Sequence, residues 1–210
     1  MVGRAVAEHL RLGFVDTGLM YRTCTLAVLE SGVDPQAADA VTVVVRGLDL
    51  DLQWPELSQP HVYLSGVDVT ARLRTVEIER AVSFVSGIPE VRDELVRRQR
   101  ALAERLPIVM AGRDIGTRVL VEARTKIFLE ASTEIRARRR LGDELDSRRQ
   151  TTFERVLQET RHRDEMDDSG QRALRREQAA PDAIVVDTDV LGIDQVVERC
   201  LEAYRAVNPS

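Results

Sequence analysis

Apolar positions recur at helical spacing over residues 3–12, and Gly13 stands where a C-cap would end that helix. Phe14-Val15 is a brief apolar pair, after which Asp16-Thr17-Gly18 turns the chain into a second helix reaching about Glu30. Residues 32–35 break the pattern. Over 36–47, Val41-Thr42-Val43-Val44-Val45 favours strand locally while Arg46-Gly47 reads as a helix end, and the segment is assigned to helix. From Leu48 to Leu73 the period switches to two. Leu48, Leu50 and Leu52 alternate with Asp49, Asp51 and Gln53, His61–Leu64 follows a proline turn, and Ser65–Asp68 turns again before a third short strand at Val69. This predicts a small antiparallel unit with one buried face.

Two helices follow, at 74–86 and 90–105, divided by Gly87-Ile88-Pro89. Pro107–Ala111 is an apolar strand ending at Gly112-Arg113-Asp114, and Thr125–Leu129 is another, followed by an arginine-rich helix from Ser132. Residues 151–163 read as helix, 164–182 as polar and irregular, 183–187 as a last strand, and 193–206 as a closing helix. Apolar strands alternating with helices imply βαβ units and a parallel sheet. Ligands of such sheets sit beyond the carboxyl ends of the strands. Asp16-Thr17-Gly18, Gly112-Arg113-Asp114 and Asp187-Thr188 all lie at such ends.

Composition narrows the chemistry. The chain has 210 residues, 43% hydrophobic and 31% charged, enough for one globular domain with a sizeable core. Its net charge of -5 argues against a nucleic-acid polymer as partner, and no apolar run approaches a membrane span. There is no signal-peptide stretch, and Cys24 and Cys200 read as reduced thiols, so a cytoplasmic location is expected. His9, His61 and His162 lie in unrelated segments, and no metal site is expected from them. Of the 30 basic residues only Lys126 is a lysine. Ile127-Phe128-Leu129 follows it where a phosphate-binding P-loop needs Ser or Thr. The many arginines nevertheless suit bidentate recognition of phosphate.

Asp16–Arg22 follows a strand and opens a helix, whose N-terminus attracts anions and whose Arg22, one turn in, can add a phosphate contact. An ordinary N-cap beside a solvated arginine explains that segment equally well. Gly112–Thr117 brackets an adjacent Arg–Asp pair with glycines at a strand end, either a ligand loop or a tight turn. Arg97-Arg98-Gln99-Arg100 and Arg136 with Arg138–Arg140 read as solvated basic faces. The arginines and aspartates of 161–176 form a surface loop or a lid closing on phosphates.

The order of these segments carries more than any one of them. Asp16-Thr17-Gly18-Leu19-Met20-Tyr21-Arg22 comes first, then Ser83, Pro89, Val91-Arg92 and Gln99-Arg100, then Gly112–Thr117, Lys126–Leu129 and Arg163-Asp164-x-x-Asp167. Together they resemble the cytidylate kinase family, P-loop nucleoside monophosphate kinases that move the ATP γ-phosphoryl group onto CMP or dCMP. The resemblance implies a cytoplasmic monomer of pyrimidine metabolism and an α/β, P-loop NTPase-like three-layer fold. That fold has a parallel sheet with helices on both faces. Residues 1–210 would form one kinase domain, with core 1–47 and 74–210, a monophosphate-binding β insert at about 48–73, and a lid at about 161–178. Ser83 and Asp114 would accept from the cytosine amino group, and Arg92 would donate to the ring acceptors. Tyr21 would wall the pocket beside Thr17, and Arg22 and Arg113 would hold the α-phosphate. Arg163 and Arg172 would act on the transferring phosphate, with Asp167 on the sugar. ATP would be the donor, and Mg²⁺ would take its ligands chiefly from ATP and the P-loop.

Departures from the family pattern bear on the lid and the start. Ala111 stands where the family has an acidic residue, and Gly170 where it has the second lid arginine, so Arg172 fits only with an insertion of two. The family begins with a central strand and a G-x-x-x-x-G-K-[ST] loop, whereas this sequence opens at the helix that would follow them. The expectation is therefore an incomplete chain, from a late start site or a fragment, inactive as written. The alternatives are a non-catalytic cytidine-nucleotide-binding protein or another small-metabolite P-loop kinase.

Overall fold

The computed structural model describes residues 1–55, 60–146, 151–169 and 176–208, excepting the side chains of 143–146, 163 and 166–169. It falls into two compact units, residues 1–119 and 120–210, and each is described by itself. No helix of the described residues is long and apolar enough to cross a membrane.

The first unit runs α1 (Val2–Leu10), β1 (Gly13–Asp16), α2 (Gly18–Glu30), α3 (Ala38–Arg46), β2 (Leu50–Gln53), β3 (His61–Leu64), β4 (Val67–Asp68), α4 (Val76–Gly87), α5 (Pro89–Arg105) and β5 (Ile108–Ala111). A π-helical turn over Ile115–Val119 closes it. β1 and β5 pair in parallel, Gly13 opposite Ile108 and Asp16 opposite Ala111, so both strands deliver their carboxyl ends to one place. β2, β3 and β4 form the antiparallel insert, which buries Leu52 and Val62 and exposes Asp51 and His61. Its third strand is Val67–Asp68; Val69, expected in that strand, lies beyond it and is buried. Val15, Met20, Val41, Leu73, Ile78 and Leu95 join the core that binds these elements.

Gly13 does not cap α1. Arg11 takes the left-handed conformation there, at φ 54°, and Gly13 opens β1 instead. Its bareness makes room for Trp54, since a Cβ at position 13 would lie 3.2 Å from the indole Nε1. That indole donates to the Phe14 carbonyl at 3.2 Å and ties the end of β2 to β1. The basic run on α5 also departs from expectation. Arg98 donates to the carbonyls of Leu48 at 2.9 Å and Val45 at 3.4 Å, so it caps the end of α3. Arg100 does the same for Val119 and Arg118 at 2.9 and 2.7 Å. Only Arg97 is the expected solvated arginine, paired with Glu94 on its own helix.

In the second unit, β6 (Ile127–Glu130) and β7 (Ile184–Asp187) pair in parallel, with α6 (Thr133–Asp146), α7 (Phe153–Ser169) and α8 (Ile193–Val207) around them. α7 runs six residues past its expected end, over a stretch with no apolar periodicity. A cross-helix pair supports the extension: Arg136 of α6 grips Asp164 through Nη1 and Nη2 at 2.7 and 2.6 Å. Arg136 is therefore not part of a free basic face, and neither is Arg139, which donates to the buried Thr188 hydroxyl at 2.9 Å. Parallel strand pairs, interleaved helices and a small antiparallel sheet make this an α/β protein of the expected class.

Candidate anion and acceptor site

The site builds up from the joined ends of β1 and β5. Asp16 folds its carboxylate back, and Oδ1 accepts the Gly18 amide at 2.9 Å, which starts α2 in an Asx turn. Thr17 is buried, and both its amide and its hydroxyl donate to the Ala111 carbonyl, at 3.0 and 3.1 Å. The strand ends come so close that a Cβ at position 112 would fall 2.4 Å from Thr17 Oγ1, which requires glycine there. The first amides of α2 and the loop that carries Arg113 thus border the same strand ends. The Gly18 amide is taken by Asp16 and the Met20 amide donates to the Thr17 carbonyl at 3.0 Å, so what this helix end chiefly offers an anion is the positive end of its dipole.

Arg22 completes that corner. A Cβ at Gly18 would lie 2.9 Å from Arg22 Nη1, so the glycine lets the guanidinium lie back over the first turn of its own helix. On its other edge, Nε and Nη2 both donate to Glu79 Oε1 of α4, at 3.2 and 3.1 Å. Arg113, one residue past Gly112, is exposed and carries polar interactions of its own.

Deeper in, Arg92 of α5 and Asp114 meet at 2.6 Å between Nη2 and Oδ2, with side chains only 9% and 12% exposed. Asp114, next to Arg113 in sequence, is thereby tied to a helix 22 residues away. Taking two charges out of water costs several kcal/mol per ion, which their mutual attraction only partly repays. Packing alone therefore gives little reason to keep the pair. The Asp114 carbonyl also accepts the amides of Arg118 and Val119, which start the π-helical turn and fix the loop. Ser83 lies on the half-buried face of α4 with Glu79, Val82 and Ser86, four residues along from Glu79. Tyr21 is half-buried against the core, one residue before Arg22.

Thr17, Tyr21, Arg22, Ser83, Arg92, Arg113 and Asp114 all belong to the first unit. Arg163 and Asp167 lie on α7, Asp167 in a stretch expected to be irregular, and their side chains are outside the described part. Arg172 lies outside the described residues altogether. Asp16 and Gly112 belong to the strand-end motifs read from the sequence, whereas Glu79 was not anticipated at the site. An aspartate two residues before a helix-opening glycine is a readable turn signal. Glu79 had the weaker signal of standing four residues before Ser83 on one helix. Among the described residues, no group of three or more His, Cys, Asp or Glu is placed to hold a metal.

The family model described as cytidylate kinase matches residues 1–206 of this chain. A cytidylate kinase of Corynebacterium efficiens is 43% identical over 204 residues, which cover 97% of this chain and 87% of that protein. One from Geobacillus kaustophilus is 42% identical over 204 residues, covering 96% and 88%. One from Bacillus cereus is 39% identical over 206 residues, covering 98% and 90%.

Proposed function

Because the chain belongs to the cytidylate kinase family, we infer that it serves transfer of the ATP γ-phosphoryl group to CMP or dCMP, with its first unit as the acceptor side. The observation that carries this is the buried Arg92–Asp114 pair at 2.6 Å. Cytosine presents an amino donor beside ring N3 and O2 acceptors, and a fixed carboxylate and guanidinium offer the matching acceptor and donors. Ser83 supplies a second acceptor for the amino group. Uracil has a carbonyl oxygen where cytosine has that amino group, so it would face Asp114 with no hydrogen to donate. Leaving a buried acceptor unpaired weakens binding on the order of 10–100-fold.

In this reading Tyr21 flanks the base and Thr17 shapes the floor by holding β1 to β5. Arg22 and Arg113 hold the monophosphate, with the positive end of the α2 dipole behind it. One of its oxygens forms the new bond to the γ-phosphorus as the bond to the ADP oxygen breaks. Such transfer asks a protein chiefly for positioning and positive charge. Arg163 and Arg172 would bring that charge to the transferring group, and Asp167 would contact the sugar. The 210 residues contain no G-x-x-x-x-G-K-[ST] run, so no residue here is assigned to the donor phosphates. Mg²⁺ would be held by nucleotide phosphates and water, its usual ligands in such sites.

Calorimetric titration with CMP, dCMP and UMP tests the acceptor site, and CDP formation from ATP and CMP tests transfer separately. CMP binding should weaken at least tenfold in Arg92→Ala and in Arg113→Ala. Unchanged CMP affinity in both variants would overturn the acceptor-site reading.

A further inference from the structure

We propose that Glu79 is a specificity-determining residue of the phosphate site, a counter-ion that shares Arg22 with the ligand and so sets how tightly a doubly charged phosphate is held. This rests on the reading of Arg22 as a phosphate ligand. One carboxylate oxygen, Oε1, receives both Nε at 3.2 Å and Nη2 at 3.1 Å, which occupies the side edge of the guanidinium. The end edge, with Nη1 and the second Nη2 hydrogen, lies toward the first turn of α2, where Gly18 leaves it room. A guanidinium gripped on one edge still offers a planar fork on the other. Glu79 therefore does not block an anion; it aims the free fork at the helix N-terminus and cancels one unit of the charge there.

The side chains of Arg22 and Glu79 are 24% and 31% exposed, so water screens them only in part. Asp16 adds a second carboxylate nearby, with Oδ1 3.0 Å from the Cβ position of Gly18. An approaching phosphate dianion thus meets one arginine already balanced by Glu79 and a helix end already touched by Asp16. Its attraction is reduced, and the ligand is held less tightly than the arginines alone would dictate. Glu79 shares its helix face with Ser83, so α4 sets both the affinity for the phosphate and the choice of base.

Glu79→Gln separates charge from geometry, because the amide oxygen can still accept both Arg22 hydrogens. The 210-residue chain is titrated calorimetrically with CMP and with cytidine, which lacks the phosphate, at about 0.05 M and about 0.5 M salt. Glu79→Gln should bind CMP about fivefold tighter at low salt, lose most of that gain at high salt, and bind cytidine unchanged. Arg22→Ala, measured in parallel, should weaken CMP binding at least tenfold and spare cytidine. If Arg22→Ala weakens CMP but Glu79→Gln binds it equally or less tightly, Glu79 is a structural partner only and the proposal falls. If Arg22→Ala leaves CMP affinity untouched, Arg22 is no phosphate ligand, and the proposal falls with that reading.

Discussion

Removing Asp114 should damage the protein far more than removing Asp114 and Arg92 together. Asp114→Ala strands a guanidinium on a residue only 7% exposed, and a charge left unpaired in such a place costs about 3–5 kcal/mol. Arg92→Met leaves the carboxylate stranded instead, on a residue 9% exposed, with a similar loss. The double variant Arg92→Met/Asp114→Leu removes both charges and keeps comparable volume, so its loss should shrink to about 1 kcal/mol or less. Urea unfolding followed by circular dichroism reads these values. At a slope of about 1.5 kcal/mol/M, the single variants should lower the midpoint by about 2–3 M while the double variant stays near the wild type. CMP calorimetry on the same proteins should show the opposite ranking, with the double variant folded and unable to bind. That contrast would mean the pair is kept for recognition and not for stability. A double variant as unstable as the singles would refute the reasoning, because the cost would then come from lost packing and not from an uncompensated charge.

Other outcomes follow from the same geometry. Gly112→Ala places a Cβ 2.4 Å from Thr17 Oγ1 and should cost about 2–3 kcal/mol, with part regained in Gly112→Ala/Thr17→Ala; equal stability of the single and double variants would show that the clash is not the cause. Trp54→Phe deletes the donor to the Phe14 carbonyl and should cost about 1 kcal/mol in urea unfolding. Hydrogen bonds from Thr70, then one from His61, hold the Asp68 carboxyl at about 2, below its ordinary value. Its stabilising effect is complete above the ordinary carboxylate pKa and disappears as pH falls toward 2, so Asp68→Asn should flatten the stability profile between about pH 4 and pH 2. Burial pushes the Cys24 thiol up to about 12 and raises that of Cys200 as well, so neither should be alkylated in the native protein at pH 8, while both react in denaturant.

How far the sequence disclosed this arrangement depended on how local the cause was. The strands, the antiparallel insert and most helices were legible because period-two and period-3.6 patterns are local. Helix α7 was underestimated because Asp164 to Ser169 offers no apolar stripe, and its support, the grip of Arg136 on Asp164, spans 28 residues. The motif residues at the ends of β1 and β5 were found from their order along the chain. Their electrostatic partners were not, because Glu79 is 57 residues from Arg22 in sequence. Likewise the link from Asp114 to Arg92 spans 22 residues and leaves no local trace in the sequence. The arginine runs misled for the same reason. Periodicity cannot distinguish a guanidinium in water from one that has found a neighbouring helix's last carbonyls, as Arg98 has.

Lys126, the one lysine of these 210 residues, has a side chain only 8% exposed, closed off by Asp182 at 2.6 Å. Acylation of lysine, the commonest way to erase a protein's positive charge after synthesis, therefore finds almost no substrate here. The cations that cap α3, brace α6 and lie over the first turn of α2 are guanidiniums, which acetyl and succinyl donors do not neutralise. A cell that tunes its enzymes by acylation would leave the charge on this stretch of chain as it was translated. Amine-directed labelling of folded protein should report only whatever amino terminus the molecule carries.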